Sequence, residues 1–128
     1  MRRILIVEDS ATTRSLLAMS LEDLDGPTKI VEAESGLEAL RFLPREDFDL
    51  VVTDINMPDI NGLELVSFIK RNEKYAAIPL VIVSIESSDR DREKGLGLGA
   101  DAYLVKPFDP DELRRIVTDL LAASGAEG

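Results

Sequence analysis

The chain has 128 residues and a formal net charge of −10, which leaves room for one domain and disfavours the phosphate backbone of nucleic acid as a partner. It contains no cysteine and no histidine, excluding a disulfide framework, the usual nitrogen and sulfur ligands of zinc, and a role as histidine phosphodonor. Apolar residues make up 45% and aromatic ones only 5%, so a mostly aliphatic core is expected.

The first predicted element is a strand over Arg3–Val7. Its four consecutive apolar residues after Met1-Arg2-Arg3 are too few for the core of a signal peptide. No run in the chain approaches the length of a membrane span, so a soluble cytoplasmic protein with no membrane insertion is expected. A helix follows over Thr12–Leu24, with Leu17, Leu21 and Leu24 on one stripe. The strand over Lys29–Ala33 is more polar than the others and is placed at an edge. The helix over Gly36–Leu43 starts at Ser35, with Glu38 three residues on, a capping box.

A strand over Leu50–Thr53 leads to a helix over Gly62–Arg71, which starts at Asn61 with Glu64 in the matching place. The strand over Leu80–Ser84 precedes the weakest helix, Ser88–Gly95. That segment is highly charged and runs into Gly95, Gly97 and Gly99, which weaken a helix interior, so it is expected to be loosely held. The last strand spans Ala102–Val105. The last helix, Pro110–Ala122, opens on Asp109-Pro110-Asp111-Glu112, an N-cap aspartate with proline and acids in the first turn. Its stripe is Leu113, Ile116, Val117, Leu120 and Leu121.

Near-continuous aliphatic strands suit burial on both faces of a parallel sheet. Alternation of five strands and five helices argues for a single α/β domain over residues 1–122, followed by a short flexible tail over 123–128. In the flavodoxin-like, doubly wound order 2-1-3-4-5, the polar strand falls at an edge and Arg3–Val7 near the centre.

Polar residues at the strand ends carry the chemistry. Glu8 and Asp9 follow Ile4-Leu5-Ile6-Val7, Asp54 follows Leu50-Val51-Val52-Thr53, and Lys106 follows Tyr103-Leu104-Val105. Ligands of open α/β sheets bind beyond the carboxyl ends of the strands, where three carboxylates and one ammonium would meet. Gathered carboxylates repel one another, and a hard divalent cation relieves that repulsion. Magnesium suits such oxygen ligands. Asp54 can attack phosphorus to give an aspartyl phosphate, while Lys106 and the Ser84 hydroxyl can meet the phosphoryl oxygens. Singly, each of these residues reads as a helix cap, a solvated turn or a loop hydroxyl; their joint placement favours a phosphoryl site.

Three segments then resemble the receiver domain of two-component response regulators. They are Ile4-Leu5-Ile6-Val7-Glu8-Asp9-Ser10, Asp54-Ile55-Asn56-Met57-Pro58-Asp59-Ile60-Asn61-Gly62 and Gly99-Ala100-Asp101-Ala102-Tyr103-Leu104-Val105-Lys106-Pro107-Phe108. The resemblance covers nearly the whole chain and is to stand-alone, chemotaxis-type receivers; the strand order above comes with it. It implies that Asp54 accepts a phosphoryl group from a sensor histidine kinase or phosphotransfer protein. It also implies that Asp9 and Asp54 bind Mg2+ by their carboxylates, Asn56 by its backbone carbonyl and Glu8 through a water. Lys106 pairs with the acyl phosphate, Ser84 swings in to bond it, and Tyr103 is the switch aromatic that turns inward. The Lys106–Pro107 bond is expected to be cis, and no catalysis beyond phosphotransfer to, and autodephosphorylation of, Asp54 is expected.

The implied readout is a face made of the fourth helix, fifth strand and fifth helix, offered to a downstream protein target. Arg90, Arg92, Lys94, Arg114 and Arg115 lie on those helices, and they read as a solvated basic face slightly better than as a docking surface for an acidic partner. Ile85 stands after Ser84 where a small residue is usual; its bulk is expected to narrow the path to the phosphoryl group and slow turnover.

Three rival readings are weaker. A haloacid-dehalogenase-type phosphatase needs a second aspartate two residues after the nucleophile, and here that residue is Asn56. Gly95-Leu96-Gly97-Leu98-Gly99-Ala100 resembles a dinucleotide fingerprint, but it ends a helix instead of opening one. A pseudo-receiver, acting as a phosphorylation-independent binding module, would not need the full set of site residues that is present.

Overall fold

The computed structural model describes residues 1–22 and 24–125. Five strands, β1 (Arg2–Val7), β2 (Thr28–Ala33), β3 (Leu50–Thr53), β4 (Leu80–Ser84) and β5 (Ala102–Val105), alternate with five helices. These are α1 (Ala11–Glu22), α2 (Gly36–Phe42), α3 (Gly62–Arg71), α4 (Asp89–Gly97) and α5 (Pro110–Ala123). The strands form one parallel sheet in the order β2-β1-β3-β4-β5, as expected.

Successive strand residues point to opposite faces, and the aliphatic runs therefore fill two cores. Leu5, Val7, Val51, Leu80 and Ile82 pack with Ala39, Leu65, Val66 and Ile69, on the face covered by α2 and α3. Ile4, Ile6, Val52, Val81 and Val83 pack with Leu17, Leu21, Leu113, Val117 and Leu121, on the face covered by α1 and α5. The polar strand β2 is indeed at an edge.

The helix ends follow local chemistry. Ser35 Oγ accepts from Glu38 N at 3.1 Å, while the Glu38 carboxylate returns to Glu34 N at 3.0 Å and not to Ser35. Asn61 accepts from Leu63 N and Asp109 from Asp111 N. Among the described residues, no helix is long and apolar enough to cross a membrane.

Several boundaries differ from expectation. The first helix starts at Ala11 and ends at Glu22 instead of spanning Thr12–Leu24; Leu24 is buried but lies beyond the helix, and Asp23 lies outside the described residues. The fourth runs on through Gly95 to Gly97, with Ser88 as its N-cap, and stops before Gly99, whose φ of 115° only glycine adopts readily. Gly95 is tolerated because it is where α4 meets the sheet: a Cβ there would sit 2.8 Å from Ile82 Cδ1 and 3.2 Å from Tyr103 Cδ2. Gly95 is also the one buried residue of α4. The fifth helix includes Ala123 instead of ending at Ala122, and is capped at Ser124; residues 126–128 lie outside the described residues.

Candidate functional site

The strand register brings the acids together. Val7 pairs with Thr53, so the next residues, Glu8 and Asp54, leave the sheet side by side. Asp54 N donates to Val7 O and Glu8 N to Ala33 O, which holds both residues against the sheet end. On the other side Ser84 pairs with Val105, and Lys106 N donates to Ser84 O at 2.8 Å. The Lys106–Pro107 peptide is cis.

Glu8, Asp9 and Asp54 form the resulting cluster, with one oxygen of each within 4.8 Å of the others. Glu8 is 1% and Asp54 6% exposed, while Asp9 is open to solvent. Two full charges at such a separation repel by about 3 kcal/mol at an effective dielectric near 20. Lys106 offsets that repulsion: its Nζ donates to Glu8 Oε1 at 2.6 Å and to Asp54 Oδ2 at 3.1 Å. Burial pulls the Lys106 ammonium down, but the hydrogen bonds and charges of the two acids outweigh this and hold it above its ordinary value. Burial pushes the Glu8 carboxyl up, and the bonds from Lys106 and Ser10 N only partly counter it. One ammonium thus pairs with two of three clustered carboxylates, whose oxygens make a donor set for a hard metal cation.

The remaining oxygens are steered by backbone. Ile55 N donates to Asp54 Oδ1 at 2.6 Å. The loop after Asp54 folds back so that Gly62 N donates to Ile55 O at 2.7 Å. Only glycine fits there: a Cβ on Gly62 would lie 1.8 Å from Asp54 O. Asp59 holds the same loop against α2 by accepting from Gly36 N, Leu37 N and Ile60 N. Desolvation pushes its carboxyl up, but these bonds and the Ser35 hydroxyl prevail and lower it to about 2.

Ser84, Asn56 and Tyr103 converge on a residue that the sequence did not single out, Glu86. Ser84 Oγ accepts from Glu86 N at 3.2 Å, Asn56 Nδ2 donates to Glu86 Oε1 at 3.0 Å, and the Tyr103 hydroxyl donates to Glu86 O at 2.7 Å. Glu86 is an acid just past a strand end, the same signal that marked Glu8 and Asp9. Tyr103, the expected switch aromatic, is inward and 5% exposed. Gly95 leaves room for its ring, Arg92 lies over it at 5.5 Å, and the Glu86 carbonyl is ready for its hydroxyl.

Ile85 is 65% exposed and lines a groove of about 500 Å³ with Leu16, Lys106, Pro107 and Phe108. Of the five basic residues, Arg114 is turned to α1, bonding Ser20 O and pairing with Asp111, and Arg92 covers Tyr103. Arg114 is thus half-buried, whereas Arg92 stays exposed like Arg90, Lys94 and Arg115.

A parallel sheet in this order, with acids and a lysine converging at its carboxyl edge, defines the class of protein. The family model of the response regulator receiver domain matches residues 4–118, and the chain belongs to that family. It is 37% identical over 127 residues to a chemotaxis protein CheY homolog of Campylobacter jejuni, covering 98% of this chain and 97% of that one. Its structure matches chemotaxis response regulator CheY4 of Vibrio cholerae with a TM-score of 0.84 and 30% identity, over 94% of this chain and 99% of that one. The Mn2+-bound form of response regulator Rcp1 matches with a TM-score of 0.80 and 25% identity, over 95% and 93% of the two chains. The chain is thus a receiver homologous to CheY-type response regulators, a signalling domain.

Proposed function

We propose that this receiver takes a phosphoryl group on Asp54 from the phosphohistidine of a sensor kinase or phosphotransfer protein. The observation that carries the reading is Lys106 Nζ bridging Glu8 and Asp54, two of the three carboxylates that cluster at the sheet edge. In the transfer, an Asp54 carboxylate oxygen forms a bond to phosphorus as the P–N bond breaks, and the electron pair passes to the imidazole nitrogen.

Glu8, Asp9, Asp54 and the Asn56 carbonyl would hold Mg2+, and the Mn2+-bound form of Rcp1 supports a divalent cation in this fold. When bound, the cation offsets negative charge on the transferring oxygens. Lys106 exchanges its bond to Asp54 for one to a phosphoryl oxygen, and Ser84 exchanges Glu86 N for another. Release of Glu86 N frees the loop that also holds Tyr103.

The change then reaches the face of α4, β5 and α5. There Arg92, Leu96, Val105, Phe108 and Ile116 line a groove of about 610 Å³ that suits a downstream protein target. Attack by water on phosphorus returns Asp54 to its free state, and the whole cycle belongs in the cytoplasm, where such kinases have their catalytic domains.

Intact mass after incubation with acetyl phosphate and Mg2+ tests the reading. One added phosphoryl group is expected, lost without Mg2+ and in Asp54→Asn. If no group is added and no phosphate is released, the chain is a pseudo-receiver.

A further inference from the structure

The acidic loop is also held from behind. Arg14, in the first turn of α1, has a side chain only 13% exposed. Its Nη1 donates to the backbone carbonyl of Glu8 at 2.9 Å. The same guanidinium lies 3.3 Å by Nε from Glu32 Oε1 and 3.5 Å by Nη2 from Glu34 Oε1, both from the edge strand β2 and the residues after it. Two hydrogen bonds and an ion pair limit the freedom of this planar guanidinium. Glu32 and Glu34 thus fix the guanidinium, and the guanidinium fixes the Glu8 carbonyl.

That carbonyl belongs to the Glu8–Asp9 peptide. The Glu8 N–H is already committed to Ala33 O across the sheet, and the Glu8 side chain to Lys106 and Ser10 N. Asp9, in contrast, is exposed, and the direction of its carboxylate follows from the plane of the peptide before it. We infer that Arg14 is a positioning residue for the acidic pocket: by holding the Glu8–Asp9 peptide it sets the Asp9 carboxylate against Asp54 and so strengthens the grip on a divalent cation. This inference rests on the proposed function, because it takes the three acids to be the cation site.

The sign of the effect separates positioning from charge. Arg14 is a cation close to a cation site, so removing it by charge alone tightens Mg2+ binding. Removing a positioning contact weakens it, and loss of an outer partner of a metal site typically costs tenfold or more.

The test is a Mg2+ titration followed by the backbone amide resonances of Asp9, Ser10 and Ile55, on the wild-type chain, Arg14→Ala, Arg14→Lys and Glu32→Gln. The rate of Asp54 phosphorylation by acetyl phosphate is measured at limiting and at saturating Mg2+. Arg14→Ala is expected to raise the Mg2+ dissociation constant by roughly tenfold, while the rate at saturating Mg2+ stays close to wild type. Arg14→Lys is intermediate, because an ammonium is a single point of attachment, and Glu32→Gln shifts the constant in the same direction but less. An unchanged or tighter constant in folded Arg14→Ala overturns the inference; should that variant not fold, the same outcome in Arg14→Lys and Glu32→Gln does so. Failure of the wild-type chain itself to bind Mg2+ overturns the cation part of the proposed function, and this inference with it.

Discussion

The Asn56 side chain donates to the Glu86 carboxylate at 3.0 Å, joining the loop after β3 to the loop after β4 across the mouth of the acidic pocket. Asp54 opens the first of these loops and Ser84 precedes the second, so the bridge ties together the two segments that flank the phosphoryl site and limits the access of water to it. Glu86→Ala removes the acceptor while leaving the Glu86 backbone contacts to Ser84 and Tyr103 in place. A hydrogen bond of this kind is worth about 0.5–1.5 kcal/mol, equivalent to about two- to tenfold in rate. Faster loss of the phosphoryl group from Asp54 is expected, measured as the decay of the phosphorylated mass after the donor is removed.

Lys106→Ala should separate the stability role of the ammonium from its chemical one. The substitution leaves Glu8 and Asp54 buried and without their shared cation. Stability in the presence of a chelator is expected to fall by about 1–3 kcal/mol, read from urea denaturation. Mg2+ should then stabilise the variant more than it stabilises wild type, while phosphorylation stays impaired.

Asp59 gives an acid-side signature. Its carboxyl is held at about 2 in the folded chain, below its ordinary 3.8, so the fold favours the charged form. The stability this contributes is complete above about pH 4 and is lost as pH falls towards 2. Glu8 acts in the opposite sense, because its folded value is raised: it favours the fold below its ordinary value and ceases to as pH rises. Asp59→Ala should therefore be less stable than wild type at neutral pH, with the two melting curves converging as pH approaches 2.

Ile85 and Lys106 line the same groove beside the pocket. On the proposed reading, bulk at residue 85 narrows the approach of water to phosphorus on Asp54. Ile85→Ala is expected to shorten the phosphoryl lifetime a few-fold without changing the initial rate of phosphorylation. An unchanged decay rate would remove Ile85 from the account.

Aliphatic runs ending in Glu8, Asp54 and Lys106 made the sheet and its reactive edge legible in the sequence, because strand ends in a parallel sheet gather on one side. The helix ends of α3 and α5 were legible for the same reason that they form: Asn61 and Asp109 supply side-chain acceptors to orphan amides. Gly95 was not legible. Its cost to a helix interior was visible, but not that the ring of Tyr103 and the Ile82 side chain need the space beside it. The orientation of Tyr103 was not legible either, because a tyrosine's rotamer depends on an acceptor, here Glu86 O, seventeen residues away in sequence. Arg14 and Asp59 escaped for a similar reason: each acts through backbone groups that only the folded chain brings within reach.

The most direct test of the central claim is to locate the phosphoryl group. The chain is treated with acetyl phosphate and Mg2+, reduced with borohydride, which converts an aspartyl phosphate to homoserine, and mapped by peptide mass spectrometry. The account predicts homoserine at residue 54, absent when Mg2+ is omitted. Homoserine at Asp9 or elsewhere, with Asp54 unmodified, would contradict it.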